Sequence, residues 1–229
     1  MNDEKLPFAL HLEELRGRLL ICLFVISILS LTSFVIWPKI ISLMWINDIS
    51  MIYISPQEAF LTRIKVSSIC GLLGSIPVIL HQIWKFIKPA LTERERKLII
   101  SLGIVSTVLL FAGIYFNVFI VTPIVVNFFL RSSQPTLKPL ISISNYASFL
   151  MNMTLAFALI SQLPLLMMLA AVLGLVNFHS LSKYRKITVI GIFILAAVLT
   201  PPDALSQLAL ALPMWGLYEL SLIFIKIIR

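Results

Sequence analysis

The chain has 229 residues, of which 59% are apolar and only 12% charged; an aqueous domain of this length would be about a quarter charged. With a mean hydropathy of +1.02, no water-soluble fold could bury its apolar surface, and the bilayer must take it. The net charge of +8 sits in short clusters beside apolar runs, which argues against nucleic acid and for membrane orientation and headgroup contact.

The N-terminal tail mixes acids (Asp3, Glu4, Glu13, Glu14) with bases and lacks an A-x-A site, so it does not read as a cleaved signal peptide. Segment 8–19 predicts an amphipathic helix, with Phe8, Leu12, Leu15 and Leu19 on one side and Glu14 on another, four residues before Arg18. Apolar runs at about 19–36, 66–84, 98–126 and 149–176 are each long enough to cross a hydrocarbon core of about 30 Å. They show no strand alternation and must satisfy their own backbone, so they are expected to be helices. Ser55-Pro56-Gln57-Glu58 has the form of a capping box with proline at the first helical position. Pro77, Pro123 and Pro164 fall inside long spans, where each removes one backbone bond and is expected to bend its helix. A fifth run, 187–200, is short, and Thr200-Pro201-Pro202-Asp203 turns it into a sixth, about 207–225. The expected architecture is an all-α membrane protein, a single domain over 1–229, with six transmembrane helices of which the last two are short and a concave helical bundle. A re-entrant hairpin over 187–225 satisfies the same parity.

Counting Lys and Arg by loop gives thirteen on the side of the N-terminal tail, the 85–97 loop, the 178–186 loop and the C-terminus, against five on the other. That bias places both termini on the cytoplasmic or stromal side.

Chemistry is sparse. There is no G-x-x-x-x-G-K-[ST] loop, no H-E-x-x-H and no Ser/His/Asp arrangement, and His11, His81 and His179 are scattered singly. Cys22 and Cys70 lie in apolar runs without metal-ligand spacing. Neither an enzyme nor a cofactor or metal site is expected. Work done by such a protein must draw on an outside source, for example a membrane potential worth about 2.3 kcal/mol per charge per 100 mV.

The acids are more informative. Glu14 reads either as an i,i+4 partner of Arg18 or as a carboxylate offered to a cation. Glu93 is accounted for by Lys97, whereas Glu95 has no basic helical neighbour and reads as the last member of a Thr92-Glu93-Arg94-Glu95 capping box, as a ligand-binding carboxylate, or as both. Gln162 sits mid-span and needs partners: a carbonyl freed by Pro164, or another transmembrane helix. Glu219 is an acid at membrane depth and a functional candidate by default. Asp203 closes a cap-like pattern, and Asn152 is expected to hydrogen-bond between helices.

Several strings in order resemble the TatC family, the multi-span core of the twin-arginine protein translocase. They are His11-Leu12-Glu13-Glu14-Leu15-Arg16-Gly17-Arg18, Ser55-Pro56-Gln57-Glu58, the run from Pro77 to Leu91 continuing into Glu95-Arg96, Thr200-Pro201-Pro202-Asp203, and Leu217-Tyr218-Glu219. The resemblance implies a receptor for signal sequences bearing two adjacent arginines, which supports transport of folded proteins driven by the proton gradient. By position it gives Glu14 and Glu95 to the paired arginines, with Arg16, Arg18 and Phe86 shaping the patch. Gln162 and the short fifth and sixth spans, with Asp203 and Glu219, are the expected contacts with single-span TatA-like and TatB-like subunits, within a complex holding more than one copy of the chain. Many bacterial members carry an acid at the position of Gln162. The amide, with the glycine-poor, isoleucine-rich composition, resembles the cyanobacterial and plastid branch, so the implied location is a plastid thylakoid or a (cyano)bacterial inner membrane. The rivals are a small ion-coupled secondary transporter using Glu219 and Asp203, and a membrane protease, which lacks a nucleophile–base pair.

Overall fold

The computed structural model describes residues 5–44, 50–87, 93–132, 140–172, 174, 176–200 and 203–228. In chain order these form α1 (Lys5–Val35), α2 (Trp37–Met44), β1 (Ser50–Ile52), α3 (Pro56–Ile87), α4 (Glu93–Phe116), a π turn (Asn117–Val121) and α5 (Thr122–Ser132). Then come β2 (Leu140–Ser142), α6 (Ile143–Ile160), α7 (Leu163–Val172), α8 (Phe178–Lys183), α9 (Arg185–Leu199) and α10 (Ala204–Ile228). Five helical stretches among the described residues are long and apolar enough to cross a membrane: Leu12–Val35, Pro56–Phe86, Gly103–Arg131, Ile143–Ala171 and Ala204–Lys226. The expected fifth span is α9, whose fifteen residues reach only about 22 Å at 1.5 Å per residue. Among the described residues the fold is helical apart from turns and a short ribbon in which β1 and β2 pair in parallel, Ser50 with Leu140 and Ile52 with Ser142.

The four prolines act differently. Pro77 and Pro213 lie inside continuous helices. Pro164 follows a break, where α6 stops at Ile160 and Ser161-Gln162 form a turn before α7. Pro123 follows the π turn, in which the Thr122 N–H reaches back to the Asn117 carbonyl. A π turn of this kind absorbs one extra residue and re-aims the helix beyond it.

The chain divides into two compact units, one of residues 1–45 and 63–103, the other of residues 46–62 and 104–229. In the first, α1 and α3 run antiparallel and approach closely at Gly71, where an added Cβ would lie 2.7 Å from the Ser30 Cα. Small residues at such crossings replace the hydrophobic drive that is missing in lipid. Each helix also supplies an arginine to the other's C-terminal end. Arg18 of α1 donates to the carbonyls of Gln82 and Lys85, each at 3.3 Å. Arg63 of α3 donates to the Phe34 carbonyl through Nε at 3.1 Å and Nη2 at 2.7 Å, with its guanidinium 3.9 Å from the Phe34 ring centre. The carbonyls of Lys85 and Phe34 fall in the last turns of their helices, where helical partners are missing and the dipole is negative, so both cations are favourably placed.

The second unit holds a core of Val121, Val125, Ala156, Phe157, Ile160, Ile192, Ala196, Leu210, Ala211, Met214, Tyr218 and Leu222, drawn from the π turn, α5, α6, α9 and α10. Gly113 lets α4 pass against α6, where an added Cβ would lie 2.9 Å from the Phe157 carbonyl. The carboxylate half of the capping box at the start of α3 is present: Glu58 Oε2 accepts from the backbone of Ile54 at 2.6 Å and Ser55 at 3.4 Å, while the Glu58 N–H donates to the Ser55 carbonyl at 3.1 Å. Its other oxygen accepts from the Ser142 hydroxyl and from the Ser144 N–H at 3.3 Å, tying the start of α3 to β2 and α6.

Candidate functional site

The first unit brings Glu14, Arg18 and Phe86 together. Glu14 and Arg18 are one helical turn apart on α1 and form a direct ion pair. Arg18 stands 5.9 Å from the centre of the Phe86 ring and bonds the last turn of α3 as described. The side chain of Arg18 is 12% exposed, that of Glu14 40%. The arginine is thus packed between the helices while the carboxylate faces outward. Arg16 is exposed on the same helix.

Glu95 falls on the first turn of α4, and its side chain lies outside the described residues, as does the Thr92 of its expected capping box. Its backbone belongs to the same compact unit as the Glu14–Arg18 pair. Only six chain steps separate Ile87, at the end of α3, from Glu93, at the start of α4, a span of at most roughly 20 Å. Phe86, one residue before the end of α3, lies against Arg18 of that pair. An acid at a helix start is favoured by the positive dipole end there.

The residues expected to meet partner helices lie in the second unit. Gln162 is 5% exposed. Its oxygen accepts from the Ser106 hydroxyl at 2.7 Å, and its nitrogen donates to the Ser106 carbonyl at 3.3 Å and the Ser161 hydroxyl at 3.2 Å. The amide thus uses α4, not a carbonyl freed by Pro164. Asp203 caps α10, accepting from the Ser206 N–H at 2.7 Å through Oδ2. Glu219 pairs with Arg185 at 3.0 Å, with side-chain exposures of 30% and 46%. Tyr218 beside it donates to the Leu181 carbonyl at 2.8 Å. Asn152 is exposed. Asn117, completely buried, donates to the Thr154 hydroxyl at 2.8 Å and is the inter-helix amide that sequence reasoning missed. The missed residues Ser106, Asn117 and Thr154 are polar positions in the middle of apolar runs, and that placement was their only signal. Arg185 was read as an orienting charge because nothing in its spacing links it to an acid 34 positions on.

A model of the family described as "Sec-independent protein translocase protein (TatC)" matches residues 10–213. A Sec-independent protein translocase protein TatC of Carboxydothermus hydrogenoformans is 36% identical over 234 residues, covering 100% of this chain and 96% of that protein. The protein of that name from Helicobacter pylori strain J99 is 33% identical, with 96% and 88% covered, and that of Escherichia coli K12 is 32% identical, with 97% and 89% covered. Among solved structures, the crystal structure of a twin-arginine translocase receptor, TatC, superposes with a TM-score of 0.85 at 30% identity, covering 95% of this chain and 98% of that one.

Proposed function

The chain belongs to the TatC family of Sec-independent protein translocase proteins, and we propose that it is the signal-peptide receptor and assembly core of a twin-arginine translocase. It is an integral, multi-pass membrane protein rather than an enzyme. What supports the reading is the contact of Glu14 and Phe86 through Arg18, the α4 helix start bearing Glu95 in the same compact unit, and a fold shared with a solved receptor of that name. In this reading Glu14 and Glu95 receive the two arginines of the signal. A guanidinium fork fits a carboxylate through two parallel bonds, which an ammonium cannot reproduce. Arg16 and the other bases around the site disfavour arbitrary polycations and hold the patch near anionic headgroups. Transport of folded cargo would draw on the proton gradient.

The same reading gives Gln162, Asp203 and Glu219 to single-span TatA-like and TatB-like partners. Asp203 and Glu219 keep part of their surface exposed. Gln162 would serve a partner through the second lone pair of its oxygen, the first accepting from the Ser106 hydroxyl. The ion-transporter rival has little to work with, because Asp203 caps a helix and Glu219 is paired. The cyanobacterial or plastid placement and a thylakoid location rest on the amide at Gln162 and on composition alone. The relatives described above are bacterial, which supports an ordinary bacterial membrane.

Site-specific photocrosslinkers at positions 13 and 94, each beside one of the two carboxylates and leaving both in place, test the receptor reading. A twin-arginine peptide is expected to crosslink at both, and its Lys-Lys variant at neither. Glu95→Gln is expected to lose at least tenfold more crosslinking than Glu93→Gln; equal loss, or none, overturns the assignment.

A further inference from the structure

Glu14 already holds a guanidinium, that of Arg18. Arg18 in turn does not depend on Glu14 for its place. It donates to the Gln82 and Lys85 carbonyls at the negative end of α3 and lies against the Phe86 ring. Its side chain is 12% exposed against 40% for Glu14, so the more exposed member of the pair can change partners while the other stays anchored.

We propose that Arg18 is a resident placeholder: a fixed guanidinium that occupies the receptor carboxylate Glu14 until a signal arginine displaces it. The inference rests on the receptor reading of Glu14. Its consequence is thermodynamic. A built-in competitor scales down the affinity of every cationic ligand for that carboxylate by one common factor. The ratio between arginine and lysine ligands is therefore left unchanged. A positioning role makes the opposite prediction: removing the residue that orients the carboxylate would weaken the arginine ligand most, because only the fork geometry depends on orientation. A carboxylate–guanidinium pair one turn apart on a helix is weak when its carboxylate is open to solvent, as Glu14 is at 40% exposure, so the brake is mild and the site stays exchangeable.

The test uses the full chain in lipid nanodiscs and a fluorescent twin-arginine signal peptide with its Lys-Lys variant, titrated against wild type, Arg18→Gln, Arg18→Lys and Glu14→Gln. Arg18→Gln keeps an amide donor for the α3 carbonyls while removing the competing charge. It is expected to tighten binding of both peptides by about two- to fivefold, with the ratio between them unchanged. Arg18→Lys is expected to fall between wild type and Arg18→Gln, and it carries the test alone if Arg18→Gln does not fold. Weaker twin-arginine binding in either Arg18 variant, or a shrunken ratio, overturns the placeholder and makes Arg18 a positioning residue while Glu14 stays the receptor. If Glu14→Gln leaves twin-arginine binding unchanged, the receptor reading of Glu14 itself fails, and the placeholder with it.

Discussion

Individual side chains in this protein are held by what the bilayer cannot supply. Gln162 and Ser106 show this well: both are buried, and each meets the other through two bonds. A polar pair between transmembrane helices is worth about 0.6–2 kcal/mol, less than the absence of water suggests, because the unfolded chain in lipid also finds partners. A double-mutant cycle of Gln162→Leu and Ser106→Ala is accordingly expected to give a coupling of about 0.6–2 kcal/mol, read as resistance to unfolding in mixed micelles. A coupling near zero would mean that the pair is incidental. The sequence announced that Gln162 needed a partner, since an amide in an apolar run always does. It could not name Ser106, because the two are 56 positions apart and no periodicity joins residues on different helices. Glu14 was more legible, since its partner lies one turn away on its own helix. The second bond set of Arg18, to the end of α3, was not.

At the level of elements, helices and breaks were readable from apolar length and proline, but the behaviour of each proline was not. Pro77 and Pro213 are accommodated within helices, while Pro164 and Pro123 coincide with a turn and a π turn. What differs is whether neighbouring groups can satisfy the freed carbonyl, and that depends on packing. The Ser55–Glu58 box was legible as a local motif. Its second half, the grip of Glu58 on Ser142 and Ser144, joins segments 84 and 86 positions apart and was not. Glu58 thus serves two helix starts at once. Glu58→Gln, which lacks one acceptor oxygen, is expected to speed amide hydrogen exchange at both Ile54 and Ser144. Ser142→Ala is expected to speed it chiefly at Ser144 and Asn145, since the Ser142 hydroxyl also caps α6 by accepting from the Asn145 N–H. Faster exchange at Ile54 alone after Glu58→Gln would show that the long-range half of the grip contributes nothing.

For the whole molecule, the charge count gives a test independent of any site. A cysteine at Asp203 is expected to react with an impermeant maleimide from outside the cell, and one at Lys183 only after the inner face is opened. Labelling of position 203 solely from within would replace the last two spans by a re-entrant hairpin and move the α10 start to the inner side. The ambiguity has a physical origin. α9 is fifteen residues long, and a helix of that length crosses only where the bilayer thins around it. Charge counting cannot resolve it, because both topologies return the chain to the same side.

The exchange of arginines between α1 and α3 bears on how the chain is made. α1 leaves the ribosome first, and the Phe34 carbonyl near its end waits 29 residues for the guanidinium of Arg63. Arg63 is one of the few cations that the charge count sends across the membrane, a passage that insertion normally resists. Once across, it closes the end of a helix already in place. The bolt at the opposite end needs only Gln82 and Lys85, so both closures of this hairpin are complete without any residue of the later spans.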